Sequence, residues 1–271
     1  MGASFTVLNN LAAVNGINKL NANNVLLNNT LNRLASGKRI NTGADDAAGL
    51  QIADGLRGNV MALNQAVRNA NDGIAYLQIA DGALDQVTTM LHRMVTLASQ
   101  AATGTLNNSN RAALQAEFKA LNDEITRIAE ATNFNGRTIF TSGGAGLEVF
   151  VGDLANTGTY ISVNFAELTV VANDLTTSVN AQDVLENLEK KLFGVAESRG
   201  NIGAGINRLQ VAINVISTQS QNTLAAESAI RDANMADEIT AMTKYQIIAQ
   251  TGLAALAQAN ANAQNVISLL R

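Results

Sequence analysis

Few residues in this chain have the chemistry that a catalytic or metal-binding site needs. The 271 residues include a single histidine, His92, and no cysteine. A Ser-His-Asp triad, a Cys-His pair and a multi-histidine zinc site all need more than that. His92 stands beside a heptad position, where an exposed surface residue is the ordinary interpretation. We therefore predict no catalytic, cofactor-binding or metal-binding residues, and a protein that is not an enzyme.

Three short motifs resemble parts of known sites but fit structural roles better. Ser36-Gly37-Lys38 lacks the upstream glycine of a phosphate-binding loop, and Ser36-Gly37 is predicted to end a helix. Segment 200–205 contains three glycines but follows no strand, so a close-packing patch is favoured over a nucleotide-binding loop. Asp45-Asp46 would lie in a first helical turn, where carboxylates interact favourably with the helix dipole.

The composition favours closely packed helices. Hydrophobic residues make up 47% of the chain, but aromatic residues only 4%, and tryptophan and proline are absent. Charged residues are 15%, against about 25% in typical proteins, and the net charge is −4 with both signs scattered. Without a basic block, neither nucleic acid nor a membrane is an expected partner. The start of the chain does not resemble a cleaved signal peptide, so we expect a cytosolic protein or one exported without such a signal.

The strongest pattern is a seven-residue repeat of mainly apolar side chains, which predicts a coiled-coil-like helix over about residues 44–100. At about 1.5 Å per residue, that helix would be roughly 85 Å long. Thr42 and Asp45 have the spacing of a capping box at its start. One row of the repeat comprises Ala53, Val60, Val67, Ile74, Asp81, Thr88 and Val95. The other comprises Leu56, Leu63, Ala70, Leu77, Leu84, Leu91 and Ala98.

The middle of the chain changes from helix to strand. A second amphipathic helix is predicted after Gly104, ending near the Asn135-Gly136 turn signal. Apolar residues then alternate with other residues at two places within 137–172, which predicts β-hairpins. The alternating residues are Leu147, Val149, Val151, Ile161, Val163 and Phe165.

Helical spacing returns at about residue 181 and continues towards the C-terminus. Asn180 and Asp183 are placed as N-cap and third helical residue. One row comprises Leu188, Val195, Ile202, Leu209, Ile216, Thr223 and Ile230, and the pattern runs on through Ile239, Met242, Leu253 and Leu256. We therefore predict one very long, uninterrupted helix.

The first 35 residues carry an apolar stripe but are crowded with asparagine, a poor helix former. Alone, this segment should be a marginal helix. Folding the chain back at the hairpins would place the two ends side by side, with exposed outer faces that mark an assembly surface. The predicted fold is mainly α: a long antiparallel helical bundle with a small β-hairpin region and paired termini.

Several motifs at the two ends of the chain resemble those of bacterial flagellins. The N-terminal motifs are segments 34–41, 45–49, 69–74 and 134–136, and the C-terminal motifs are segments 228–233, 256–260 and 268–271. The resemblance covers about residues 1–140 and 180–271. It implies a short flagellin without outer variable domains, because only about 40 residues separate the two regions.

The resemblance implies a structural subunit of the extracellular flagellar filament, exported without a cleaved signal peptide and supporting motility. Residues 1–42 with 235–271 would form the terminal-helix polymerisation domain, the inner tube of the filament. Residues 43–234 would form the helical rod, including hairpins at about 137–172. The residues expected to support polymerisation are Leu11, Leu20, Leu27, Leu31, Leu34, Ile239, Met242, Leu253, Leu256 and Leu270.

The resemblance also implies partners besides further copies of the chain: an export chaperone and the filament cap and junction proteins. The expected chaperone contacts are Leu253, Leu256, Val266 and Leu269. A host Toll-like receptor would read Arg93, Leu97 and Glu117, although the family's intervening Arg-Glu pair is Val95-Thr96 here. A proline common in the last helix of the family is also missing from segment 259–263, so that helix would run straighter.

Two other functions remain open on the sequence. One is a hook–filament junction protein of the flagellum, which shares the terminal-helix plan. The other is a secreted binding module that uses the central hairpins over 141–178 to hold a glycan or receptor. A concave aromatic site would be needed for that, and the available aromatic residues are Tyr160, Phe150 and Phe165.

Overall fold

The computed structural model describes residues 10–140, 146–153, 158–165, 168 and 174–269, without the side chains of 12, 263 and 265–269. The described part confirms the mainly α fold. Its helices are α1 (Leu11–Ser36), α2 (Ala47–Ala102), α3 (Asn108–Ala131), α4 (Ser178–Arg231) and α5 (Met235–Leu269). Its strands are β1 (Asn133–Phe134), β2 (Arg137–Thr138), β3 (Gly146–Phe150) and β4 (Tyr160–Asn164).

The chain divides into two compact units. Unit 1 comprises residues 1–57 and 223–271, and unit 2 comprises residues 58–222. Unit 1 therefore contains both ends of the chain, with α1 and α5. Unit 2 contains most of α2, all of α3, the strands and most of α4.

The capping box predicted at the start of α2 is wrong in its placement. Asp45 accepts hydrogen bonds from the backbone N–H and the hydroxyl of Thr42, at 2.9 and 3.0 Å, in a turn that precedes the helix. The residue that caps α2 is Asp46, whose Oδ1 accepts from the Gly49 N–H at 2.9 Å. Asp46 takes the role because its carboxylate reaches the third N–H of the helix from the position just before it.

The N-cap predicted for α4 is also wrong. The helix begins at Ser178, and the hydroxyl of Thr177 accepts a hydrogen bond from the Asn180 N–H at 3.2 Å. The Thr177 carbonyl accepts the next one, from the Ala181 N–H. The Thr177 hydroxyl can reach a free helical N–H, so the helix begins three residues earlier than its apolar spacing suggests.

Helix α4 does not continue into α5, contrary to the prediction of one uninterrupted helix. Residues 232–234 are not helical. The Arg231 carbonyl accepts from the Arg39 N–H at 2.7 Å, the Ala233 N–H donates to the Gly37 carbonyl at 3.0 Å, and Lys38 and Asp232 form a β-bridge. Backbone groups that would have continued the helix are thus paired across unit 1.

The core of unit 2 is formed along α2 by two rows of side chains. The predicted row from Leu63 to Ala98 is buried. The other buried row begins at Ala66, one residue before the predicted Val67, which is half-buried. This second row consists of Ala66, Gly73, Ala80, Val87, Met94 and Ala101. Its small residues carry little hydrophobic signal but allow closer approach of the packed elements.

The hairpins form where the alternation predicts them, with one addition. β3 pairs antiparallel with β4, with Leu147 opposite Val163 and Val149 opposite Ile161. A further short hairpin, β1–β2, turns at Asn135-Gly136, where φ is 51° and 79°. Two successive positive φ values are typical of a type I′ turn, which Asn-Gly favours.

The β3–β4 hairpin packs against α2 and α4 at two glycines. A Cβ added to Gly73 would lie 2.6 Å from Val149 Cγ2, and one added to Gly205 would collide with Val163. Only glycine allows the strands to approach so closely. The packing patch predicted at 200–205 is thus confirmed at Gly205, where the close neighbour is a hairpin.

Candidate polymerisation surface

Helices α1 and α5 pack together along a seam with heptad spacing. On α1 the residues that face α5 are separated alternately by three and four positions. They are Ala13, Gly16, Leu20, Asn23, Leu27, Thr30 and Leu34, all buried or half-buried. The leucines of this seam are recognisable in the sequence as part of an apolar stripe. Its small and polar members are not, because alanine, glycine, asparagine and threonine give no strong hydrophobic signal.

Glycines bring the two helices close. The position of a Cβ on Gly16 is 3.6 Å from Leu256 Cδ1, and that on Gly252 is 3.2 Å from Leu20 Cδ1. Each leucine therefore packs over a glycine of the opposite helix. Such packing buries apolar surface with few large side chains.

Polar side chains of α1 reach the backbone of α5. The Asn23 Nδ2 donates to the Tyr245 carbonyl at 2.9 Å, and the Asn10 Nδ2 donates to the Ala259 carbonyl at 3.2 Å. Asn10 also caps α1 by accepting from the Ala13 N–H. These contacts show why an asparagine-rich helix is stable here: its pairing with α5 compensates for poor intrinsic propensity.

Charged groups join the elements of unit 1 near the helix break. Arg231 Nη1 lies 2.9 Å from Asp54 Oδ1 and 3.9 Å from Glu227 Oε1, and Arg33 Nη1 lies 3.6 Å from Glu238 Oε1. In the nearby turn, hydrogen bonds from Thr42 and then Asn41 hold the pKa of Asp45 below its ordinary value. The prediction that Asp45-Asp46 lie in a first helical turn is therefore wrong: Asp45 holds the turn before α2, and Asp46 caps the helix from the position before its first residue.

The outward faces of α1 and α5 expose many large apolar side chains. Their exposed fractions range from 40% for Leu31 to 68% for Leu11. They are Leu11, Val14, Ile17, Val25, Leu26 and Leu31 on α1, and Met235, Ile239, Ile247, Ile248 and Leu253 on α5. Charged residues are sparse: α1 has only Lys19 and Arg33. A surface with so many exposed large apolar side chains and so little charge is typical of an interaction site.

The ten residues predicted to support polymerisation lie in two settings. Leu20, Leu27, Leu34, Met242 and Leu256 are half-buried, whereas Leu11, Leu31, Ile239 and Leu253 are exposed, and Leu270 is outside the described residues. The first group is partly covered within one chain, and the second is free to contact another chain.

The residues implied for other partners are placed as follows. Arg93 and Glu117 are exposed and form an ion pair at 2.7 Å between α2 and α3, whereas the Leu97 side chain is 2% exposed. Of the chaperone residues, Leu253 is exposed and Leu256 packs over Gly16. The side chains of Val266 and Leu269 are outside the described part of the chain.

The aromatic residues of the central hairpin do not form a concave site. The rings of Phe150 and Tyr160 meet edge to face at 5.4 Å, and those of Phe165 and Phe140 at 5.8 Å. Phe165 is buried and Phe150 half-buried, and Tyr160, 54% exposed, is the most open of the three. This arrangement disfavours the binding-module alternative.

The described residues offer neither a metal site nor a membrane-spanning helix. His92 is exposed, and no group of three or more histidine, aspartate or glutamate side chains in that part of the chain lies close enough to hold a metal ion. No described helix combines the length and apolar character needed to cross a membrane.

Comparison with known proteins decides which family has this arrangement. Residues 7–144 match the family model of the bacterial flagellin N-terminal helical region, and residues 185–270 match that of the C-terminal helical region. The chain belongs to the bacterial flagellin family. Only 40 residues lie between the two matched regions, so this flagellin is a short form.

Flagellins of other bacteria are similar to this chain over almost its whole length. A flagellin of Halalkalibacterium halodurans is 38% identical over 97% of this chain and 98% of the relative. A flagellin of Bacillus subtilis is 36% identical over the same shares. The structure assigned to a flagellar hook-associated protein of Vibrio parahaemolyticus has a TM-score of 0.57 and 17% identity, covering 69% of this chain and 100% of that one. That likeness shows the fold alone.

Membership of the flagellin family defines the broad role of this chain. It is a structural protein, a subunit of the flagellar filament, and its site is therefore extracellular. Its contribution to the cell is motility. Because both ends of the chain match flagellin models, the chain is better described as a filament subunit than as a hook–filament junction protein.

Proposed function

We propose that this flagellin self-assembles through the exposed apolar faces of α1 and α5. The observation that carries the proposal is the set of outward side chains on the two helices, such as Leu253 at 58% exposure. Burying each such side chain against a neighbouring subunit would contribute about 1.5–3 kcal/mol. The α1–α5 seam would act as the scaffold that presents these faces.

The residues expected to support polymerisation would make two kinds of contact, between subunits and within one subunit. Leu11, Leu31, Ile239 and Leu253 would contact neighbouring subunits, together with Val25 and Ile247. Leu20, Leu27, Leu34, Met242 and Leu256 would hold the two helices of one subunit together. The proposed polymerisation domain, 1–42 with 235–271, contains both sets.

The export chaperone and the cap and junction proteins would bind the same surface of α1 and α5. An export chaperone that binds Leu256 would have to separate α5 from α1, because Leu256 packs over Gly16. Chaperone binding and α1–α5 pairing would then exclude each other, which keeps an unexported chain from assembling. Cap and junction proteins would contact the same exposed leucines. A host receptor would contact the Arg93–Glu117 ion pair, since the Leu97 side chain lies in the core.

Seeded elongation tests the proposal. The substitutions Ile239→Ser and Leu253→Ser should abolish elongation from short filament seeds, as seen by electron microscopy, and leave the circular dichroism of the unpolymerised chain unchanged. Val179→Ser is the matched control because Val179 is also exposed, at 66%, but lies in unit 2. Normal elongation of both unit 1 variants would refute the proposal.

A deletion distinguishes this role from catalysis or ligand binding by unit 2. Removing residues 236–271 should abolish polymerisation while unit 2, residues 58–222, keeps its helical signal. A truncated chain that still elongates seeds would contradict the assignment. Counting copies in native flagella would separate a filament subunit, at thousands per filament, from a junction protein in a single ring.

A further inference from the structure

The turn of the β1–β2 hairpin carries a dipeptide that is prone to an internal reaction. Asn135 is followed by Gly136, and both residues are exposed. The backbone nitrogen of the residue after an asparagine can attack the side-chain amide carbon and close a five-membered ring. A side chain on that second residue hinders the attack, and glycine has none. Asparagine is counted among the thermolabile residues of proteins.

Two properties of the turn leave this reaction open. The Gly136 N–H donates no hydrogen bond to any residue that the structure describes, so no such bond holds its nitrogen away from the amide carbon. Strands β1 and β2 are paired over only two residues each. Because so short a hairpin is marginally stable, local opening lets the backbone of Asn135 rotate into the geometry that the attack requires.

A second Asn-Gly pair shows what a stable helix does to the same chemistry. Asn15 and Gly16 lie inside α1, and Asn15 is exposed, as Asn135 is. In an α-helix each N–H donates to the carbonyl four residues earlier, which occupies the Gly16 nitrogen. Attack there would require several helical hydrogen bonds to break together. The two pairs therefore have the same reacting groups and differ in the backbone that holds them.

We propose that Asn135 is a site of spontaneous modification, at which the side-chain amide is converted to a carboxylate. The Gly136 nitrogen forms a bond to Cγ of Asn135, the bond from Cγ to Nδ2 breaks, and ammonia leaves with the proton from the Gly136 nitrogen. Water then opens the resulting succinimide at either of its two carbonyl carbons. The products are aspartate and isoaspartate, and water is the only co-reactant.

The two products should affect the hairpin differently. Asp-Gly favours the same type I′ turn as Asn-Gly, so aspartate keeps the turn and adds one negative charge. Isoaspartate routes the main chain through the side chain and so adds one backbone atom to the turn. That atom shifts the pairing of β1 with β2, and with it Phe134, whose ring meets the buried Tyr76 ring of α2 edge to face at 5.8 Å. Isoaspartate should therefore loosen the hairpin from the core of unit 2.

The modification depends on the age of a subunit. The reaction needs no enzyme, and hydrolysis does not re-form asparagine, so modified subunits accumulate in a filament over time. The reaction involves the turn in unit 2 alone and does not rest on the proposed assembly through α1 and α5. Failure of one proposal leaves the other intact.

Mass spectrometry of ageing filaments tests the assignment. Filaments purified from cells are held in neutral buffer, and digests taken at intervals are fragmented in a way that distinguishes aspartate from isoaspartate. Because the hairpin opens more easily than α1, Asn135 should be converted about tenfold faster than Asn15, or more. It should also be converted faster than Asn133, an exposed residue of the same hairpin that is followed by phenylalanine. Conversion of Asn135 no faster than that of either control would overturn the proposal.

The same measurement on full-length chains unfolded in guanidinium chloride separates the fold from the local sequence. Asn135 and Asn15 should then be converted at equal rates, since each precedes glycine in an open chain, while Asn133 stays slow. A difference between Asn135 and Asn15 that persists after unfolding would overturn the selection of Asn135 by its turn.

The substitution Asn135→Asp supplies one product in pure form. Its midpoint in urea denaturation should equal that of the fresh wild-type chain, whereas the isoaspartate form, separated from aged chains by chromatography, should unfold at a lower urea concentration. Equal midpoints for all three chains would contradict the proposed effect of isoaspartate on the hairpin.

Discussion

Asn23 of α1 donates a hydrogen bond from its side-chain amide to the backbone carbonyl of Tyr245 on α5, at 2.9 Å. Asn23 is 6% exposed and lies in the middle of the α1–α5 seam. A buried amide is satisfied only when its partner is in place, so it favours one alignment of two helices over shifted ones. The contact therefore sets the register in which α1 and α5 present their outer faces.

We predict that Asn23→Ala lowers the stability of the α1–α5 pair by about 1–2 kcal/mol, because a buried hydrogen bond and packing contacts are lost. The measurement is thermal depolymerisation of filaments followed by light scattering. Asn24→Ala is the matched control, since Asn24 is exposed and the two changes alter helix propensity equally. Equal effects of the two substitutions would contradict the assigned role of Asn23.

Substitution of the two glycines under the β3–β4 hairpin should destabilise unit 2. Gly73→Ala and Gly205→Ala would each cost about 1–3 kcal/mol, because the new methyl group collides with Val149 or Val163. Urea denaturation of the full chain measures the change. At the exposed Gly82 of the same α2 helix, a Cβ meets nothing within 4 Å, so Gly82→Ala should instead stabilise by up to about 1 kcal/mol. A destabilising Gly82→Ala would show that the helical glycines have another function.

The turn before α2 should respond to acid through Asp45. Hydrogen bonds from Thr42 and Asn41 lower the folded-state pKa of this carboxyl below its ordinary 3.8. The contribution of Asp45 to stability is therefore fully present above about pH 4 and is lost as the pH falls through the lowered pKa. A carbon-detected NMR titration should give a midpoint below 3.8, and Thr42→Ala should move it upwards. A midpoint at or above the ordinary value would show that the turn does not persist in solution.

Arg111 should be needed to close the C-terminal end of α2. Its guanidinium donates to the carbonyl oxygens of Ala101 and Thr103, at 3.0 and 2.9 Å, and its side chain is largely buried. Because these are charge-assisted bonds to helix-end carbonyls, Arg111→Met should cost about 1.5–3 kcal/mol in urea denaturation. Arg127→Met is the control: Arg127 is exposed and pairs only with Glu124 on its own helix, so its loss should cost less than about 1 kcal/mol.

Two of the wrong predictions, the capping box and the second buried row of α2, have a common cause, which is that short polar and small residues have several possible roles. Asp45 and Asp46 are both able to cap a helix, and the path of the preceding turn selects Asp46. Along α2, the periodicity located the buried face to within one residue but favoured Val67 over Ala66 for its greater hydrophobicity. The smaller side chain lies deeper because close packing there needs small volume.

The spacing of leucines, isoleucines and valines along the sequence was sufficient to predict the helices, the β3–β4 hairpin and an exposed apolar surface at both chain ends. These features follow from local geometry, since burial of one face imposes a period of about 3.6 or 2 residues. Two other features depend on residues about 190 to 220 positions apart. The α4–α5 break exists because segment 37–39 pairs with segment 231–233, and the α1–α5 seam includes Asn23 because Tyr245 offers it a carbonyl. Such pairings leave no periodic trace in either segment, so only the tertiary structure decided them.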